Sequence, residues 1–127
     1  MKKETIEERK PVWIALSEFY LVDIELQDSD FLRIAFSIIK SPYTLDRVKK
    51  INKYELFPVL RSNLYSVTGE WLEFDQKWLI DSIIASLTKR NVIRQIGIES
   101  LFPIFNRIQK NYWERLEGAY YELKQGE

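Results

Sequence analysis

The 127 residues include no histidine and no cysteine. Imidazole is the usual general base near neutral pH, and thiolate is the strongest common nucleophile. Their absence excludes Ser-His-Asp triads, Cys-His pairs, Cys/His zinc sites and disulfides. Carboxylate or lysine chemistry and carboxylate-bound Mg or Ca remain open. Glycine is scarce, at four residues, and Gly69, Gly97, Gly118 and Gly126 are too scattered to form a phosphate-binding loop or a dinucleotide fingerprint. No run approaches the 18 or so apolar residues of a membrane span. The longest candidates, 31–39 and 79–87, are short and carry Arg33 and Asp81. The N-terminus is charged and lacks an apolar stretch followed by a small-residue cleavage site, so a cytoplasmic location is expected.

Hydrophobic residues make up 46% of the chain and aromatic residues 14%, enough for a core in one domain of this length. The net charge is zero, with 19 basic and 19 acidic residues. Residues 1–30 hold 4 basic and 8 acidic groups. The carboxylates of that quarter, Glu18, Asp23, Glu25, Asp28 and Asp30, have no Lys or Arg between them.

Helical spacing dominates. Val12, Trp13, Leu16, Phe19 and Tyr20 share one helix face, with Pro11 expected in the first turn and residues 1–8 as a frayed end. Phe31, Ile34, Ala35, Ile38 and Ile39 repeat that face, entered through the capping oxygens of 28–30 and closed by Ser41 and Pro42. Thr44 is placed to cap a helix carrying Leu45, Val48 and Ile51, with Pro58 at its end or in the first turn of a short successor. Residues 63–69 read as a loop. Asp75 caps a helix with Leu79, Ile80, Ile83, Ile84 and Leu87 inward, faltering near Asn91 or Gly97. A last helix is expected from Ser100, with Pro103 in its first turn and Leu101, Phe105, Ile108, Tyr112, Leu116, Ala119 and Leu123 inward. Residues 21–27 alternate weakly, but a lone strand has little stability and they read as a loop. The expected fold is all-α, a single compact bundle of five or six helices spanning 1–127.

Each chemical motif has a plainer explanation beside it. The acidic group at 23–30 lacks the glycine and terminal glutamate of a calcium loop and reads first as a solvated edge. Glu70, Glu73 and Asp75 surround Trp71 and Phe74, but no basic group sits between them to complete an acid/base site. Arg47, Lys49, Lys50 and Lys53 form one basic stretch, and Lys89, Arg90 and Arg94 another. A net charge of zero opposes the domain-scale positive field that nucleic acid requires. Of the tryptophans, Trp113 falls beside the inward stripe of the last helix, as does Tyr121. Both are therefore candidates for an interface.

A further group of residues carries a resemblance: Arg9-Lys10-Pro11-Val12-Trp13, Ala15-Leu16-Ser17-Glu18, Ser41-Pro42-Tyr43-Thr44-Leu45, Glu55-Leu56-Phe57-Pro58-Val59-Leu60, Asn63-Leu64, Gly69-Glu70-Trp71, Phe74-Asp75 and Trp78-Leu79. Together they resemble a family of small bacterial proteins with no established activity, some of which carry an ABC-transporter ATPase label. The resemblance spans about residues 9–87 and implies no catalytic residues. The sequence has neither the phosphate loop nor the signature glycines of such an ATPase.

From these features the chain is expected to be a non-enzymatic bacterial protein-binding module of the immunity type, neutralising a toxin by stoichiometric binding, without cofactor or metal. Glu18, Asp23, Glu25, Asp28 and Asp30 would steer a basic toxin domain, with Trp71 and Trp113 as anchors. Charge reversal of Asp28 and Asp30 to Lys is then expected to slow association without unfolding the chain. Two other classes stay open. One is a carboxylate-dependent metal-binding protein or enzyme using the 23–30 cluster or Glu70, Glu73 and Asp75. The other is a nucleic-acid-associated helical module.

Overall fold

The computed structural model describes residues 1–21, 24–61, 75–89 and 92–126. The elements are α1 (Lys3–Ser17), a 3-10 turn (Glu18–Tyr20), α2 (Asp28–Lys40), α3 (Leu45–Ile51), a π turn (Asn52–Leu56), α4 (Phe57–Leu60), α5 (Gln76–Thr88), α6 (Val92–Ile108) and α7 (Lys110–Gln125). With α3, the π turn and α4 taken as one continuous run, six helical passages form an all-α bundle. No strand occurs among the described residues. The loop expected at 63–69 lies outside them.

Helix α1 supplies the centre. Val12, Trp13, Ala15, Leu16, Phe19 and Tyr20 are all buried, more than one helical face can account for, because α2, α5 and the π turn pack around them. The helix begins at Lys3, so Pro11 is internal rather than in the first turn, and residues 3–8 are helical rather than frayed. Proline removes one backbone donor from the ladder. The two turns ahead of it are tied down instead by Arg9, which is buried against Glu55.

Local signals read from the sequence set most other boundaries. Thr44 Oγ1 accepts from the Arg47 N–H at 3.1 Å, and Asp75 Oδ1 accepts from the Trp78 N–H at 2.8 Å. At α2 the cap lies one residue earlier than expected: Gln27 and Asp30 form a reciprocal capping box, with the Gln27 N–H donating to Asp30 Oδ2 at 2.8 Å. Pro58 falls in the first turn of α4. Helix α2 turns Phe31, Ile34, Ala35 and Ile38 inward and makes its most extensive contact with α7.

The C-terminal third departs from expectation. Helix α6 starts at Val92, so Gly97 lies within it, and Pro103 is internal. The break falls at Gln109, whose φ and ψ leave the helical region, and α7 starts at Lys110. The inward residues are Ile98, Phe105, Trp113, Leu116 and Ala119. Leu101 and Ile108, expected inside, are 43% and 63% exposed. An error of about one residue in the phase of a long stripe is enough to turn these side chains outward.

Candidate functional site

Three regions contain the side chains that could carry function. The first is a buried polar spine between α1 and the π turn. Trp13 Nε1 donates to Glu55 Oε1 at 2.9 Å, and the Arg9 guanidinium is paired with Glu55 Oε2. The guanidinium also lies 4.9 Å from the centre of the Tyr43 ring. One turn away, the Tyr20 hydroxyl donates to Asn52 Oδ1 at 2.6 Å. The wider winding of a π turn, with its i to i+5 bonds, brings Asn52 and Glu55 inward together with Leu56.

Burial works against the charge on Arg9, but hydrogen bonding and attraction from Glu55, aided by Tyr43, outweigh it and its proton is held more tightly than usual. Burial likewise pushes the Tyr20 hydroxyl well above the ordinary phenol range, partly offset by its bond to Asn52. Arg9 Nε is buried without a partner among the described residues. The Arg9 and Glu55 side chains are both almost closed to solvent. This arrangement cannot meet a reacting molecule and acts as a staple joining residues 46 positions apart. Sequence reasoning passed over Arg9 and Glu55 as functional residues. The available signal was a charged residue on the same helical face as Trp13, and another directly before the buried Leu56.

The second region is the acidic edge. Arg33 reaches Glu18 Oε2 at 2.5 Å and Asp30 Oδ1 at 2.9 Å, while Arg115 Nη2 reaches Asp28 Oδ1 at 2.8 Å. The Arg115 guanidinium also sits 4.3 Å from the centre of the Phe31 ring. The Gln27 backbone N–H, with Arg33, lowers the pKa of Asp30 below its ordinary value. Three of the carboxylates that lack basic neighbours in sequence, Glu18, Asp28 and Asp30, are thus paired with arginines from α2 and α7. Glu25 is exposed and makes no ion pair among the described residues. Asp23 and Trp71 lie outside the described residues. Trp113 is not a surface anchor. It is 7% exposed, meets Phe19 edge to face at 5.4 Å, and donates through Nε1 to Gln109 Oε1 at 3.2 Å.

These contacts also correct the expected effect of charge reversal. Asp30 is half of a capping box and Asp28 holds Arg115, so changing both to Lys disturbs the start of α2 as well as its field.

The third region is α6. Its inner face carries Ile98, Phe102 and Phe105, the last stacked on Tyr20 at 5.1 Å and tilted against Phe57 at 4.7 Å. Its outer face is also apolar: Ile93, Ile96, Ile104 and Ile108 recur at helical spacing and are exposed, Ile93 to 82%. Beside this row, α4, α5 and α6 enclose a groove of about 600 Å³ lined by Pro58, Val59, Ala85, Ile93 and Gly97 among others. Arg94 spans its floor, donating to the Tyr54 carbonyl at 3.0 Å and to Ser86 Oγ at 3.2 Å. Polar residues such as Gln95, Glu99 and Asn106 occupy the flank between these two faces, and exposed apolar side chains recurring along one helix face are the kind of surface that marks interaction sites. Sequence reasoning missed this face by assigning one stripe to a segment that carries two.

The remaining candidates are quickly placed. Asp75 is a helix cap, while Glu70 and Glu73 lie outside the described residues. Among the described residues no three acidic groups are gathered as a metal would require. No helix among them is long and apolar enough to cross a membrane. Lys49, Lys50 and Lys53 border a separate groove below α6, whereas Lys89 lies by the groove between α4, α5 and α6. Arg90 lies outside the described residues.

Fold and surface together define a stapled all-α bundle with one helix apolar on both faces. The chain belongs to the family described as a domain of unknown function, DUF7079, whose model matches residues 7–119. The match takes in α6 and much of α7, which the motifs at 9–87 did not reach. No curated protein and no solved structure matches the chain.

Proposed function

We propose that this chain is a non-enzymatic bacterial protein-binding module of the immunity type, which occupies its partner stoichiometrically through the outer face of α6. The observation that carries this reading is the row Ile93, Ile96, Ile104 and Ile108, exposed on a helix whose other face is already in the core. Burying such side chains against a partner gives about 25 cal/mol per Å² of apolar area before the costs of association. The acidic edge has a smaller part than its sequence suggests. Arg33 and Arg115 pair with Glu18, Asp28 and Asp30, leaving Glu25, among the described residues, as the side chain best placed to steer a basic partner.

The test is to sequence the genes that flank this one and to co-express the chain with any toxin domain found there. Immunity predicts that the native chain relieves growth arrest and that the purified pair forms a 1:1 complex. Ile96→Asp with Ile104→Asp should remove both effects while leaving the helical circular dichroism unchanged. Relief that survives this double variant but is lost with Glu25→Lys would move the interface to the acidic edge. Relief by catalytic amounts of the chain would overturn the stoichiometric reading.

A further inference from the structure

We propose that the groove between α3, the π turn and the α6–α7 junction is a binding site for the phosphate group of a small molecule. The groove encloses about 320 Å³, at the lower end of the range for small-ligand pockets. It lies on the flank of α6 away from the exposed isoleucine row, since Phe102 and Asn106 face it. The site is therefore independent of the proposed docking face.

Four ammonium groups border it, Lys49, Lys50 and Lys53 from the α3 side and Lys110 from the start of α7, against two carboxylates, Glu114 and Glu117. Lys49 is held by Glu117, Lys53 is 3.0 Å from Glu99, and Lys110 is 3.9 Å from Glu114. Among the described residues Lys50 has no ion-pair partner. Neighbouring positive charges with one left uncompensated favour a mobile anion in the space between them.

The independent observation is Asn52. It is 1% exposed, lines the groove, and has its Oδ1 occupied by the Tyr20 hydroxyl. Its Nδ2 group has no acceptor among the described residues. Since Nδ2 is not sealed in the core, this donor is open to the groove, where an acceptor from outside can reach it. Asn52 is also the first residue of the π turn, a geometry concentrated at functional sites.

The charge type selects the ligand. The cations of the groove are ammonium points with no guanidinium fork, outnumbering its two carboxylates, which suits the dispersed oxygens of a tetrahedral phosphate better than a planar carboxylate. On binding, a phosphate oxygen replaces Glu117 as the acceptor from Lys49, and Asn52 Nδ2 donates to a second oxygen.

The experiment is a two-dimensional NMR titration of the full chain with inorganic phosphate at constant ionic strength, repeated with a hexose monophosphate, succinate and a single-stranded oligonucleotide. Saturable shifts of the Asn52 side-chain amide and the Trp113 indole are expected with phosphate and with the sugar phosphate. Lys50→Glu should weaken binding at least tenfold and Glu117→Gln should strengthen it. Both sites are at the surface, and an unchanged melting temperature checks that the fold is intact. Three results would overturn the proposal: a response no greater than that to chloride, binding insensitive to Lys50→Glu, or succinate binding as tightly as phosphate. Oligonucleotide binding far tighter than the sugar phosphate, with a steep salt dependence, would replace it with a nucleic-acid backbone site.

Discussion

Helices α2 and α6 are both rich in large aliphatic and aromatic residues, yet they use them differently. In α2 the apolar side chains Phe31, Ile34, Ala35 and Ile38 fall on one face and disappear into the core, while Arg33 on another face holds Glu18 and Asp30. In α6 the apolar residues occupy two faces, of which only Ile98, Phe102 and Phe105 are covered by this chain. An apolar residue therefore reports a need for burial without saying whether the same chain or a partner supplies the cover. Helix α2 leaves one large apolar side chain, Phe36, at the surface beside Lys40, whereas α6 supports the domain from within and presents a row of four isoleucines to the outside.

The contrast can be broken most forcefully at the staple that frames it. Glu55→Ala leaves Arg9 charged and buried, a loss of about 3–5 kcal/mol that denaturant titration would measure. Joint replacement, Arg9→Met with Glu55→Leu, should cost much less, because neither charge is then stranded. A loss confined to a few tenths of a kcal/mol for Glu55→Ala would mean that water reaches the pair.

Within the comparison itself, Ile34→Ala on the covered face of α2 should cost about 2–5 kcal/mol through lost burial and a residual cavity. Removing the cap of α3 by Thr44→Ala should cost about 1 kcal/mol, read as a lowered denaturation midpoint with unchanged slope.

A smaller effect depends on pH. The folded pKa of Asp30 lies below its ordinary value of 3.8, so its contribution is fully present above that value and is lost as pH falls through the lowered one. Asp30→Asn keeps a capping oxygen and removes the charge. Its melting temperature should trail that of the native chain at pH 7, and the gap should close in strong acid. A gap independent of pH would assign the loss to cap geometry rather than charge.

The smallest stability change is expected on the outer face of α6, where Ile104→Ala should stay within about 0.5 kcal/mol of the native chain. A loss matching that of Ile34→Ala would show that this face is covered within the chain, and the contrast between the two helices would collapse.

Much of the fold was legible because it rests on local chemistry. The caps at Thr44 and Asp75, the stop at Ser41, and the single inward face of α2 depend on residues within a turn or two of one another. Periodicity also marked the all-α class. The start of α1 was not legible, because its first turns are held by Glu55 from a distant part of the chain. Nor was the phase of α6 and α7, since the break at Gln109 interrupts a stripe that the spacing alone presents as continuous.

For the candidate sites the division is sharper. The sequence alone determined that histidine and cysteine chemistry is absent, and that carboxylates cluster between Glu18 and Asp30. Only the tertiary structure decided that Arg33 and Arg115 neutralise most of that cluster, that Trp113 belongs to the core, and that Ile93, Ile96, Ile104 and Ile108 do not. Composition and spacing show what each residue can do within its own turn of helix. Which charges meet and which apolar faces are covered depends on side chains brought together across dozens of residues, and that proximity exists only after the chain has packed.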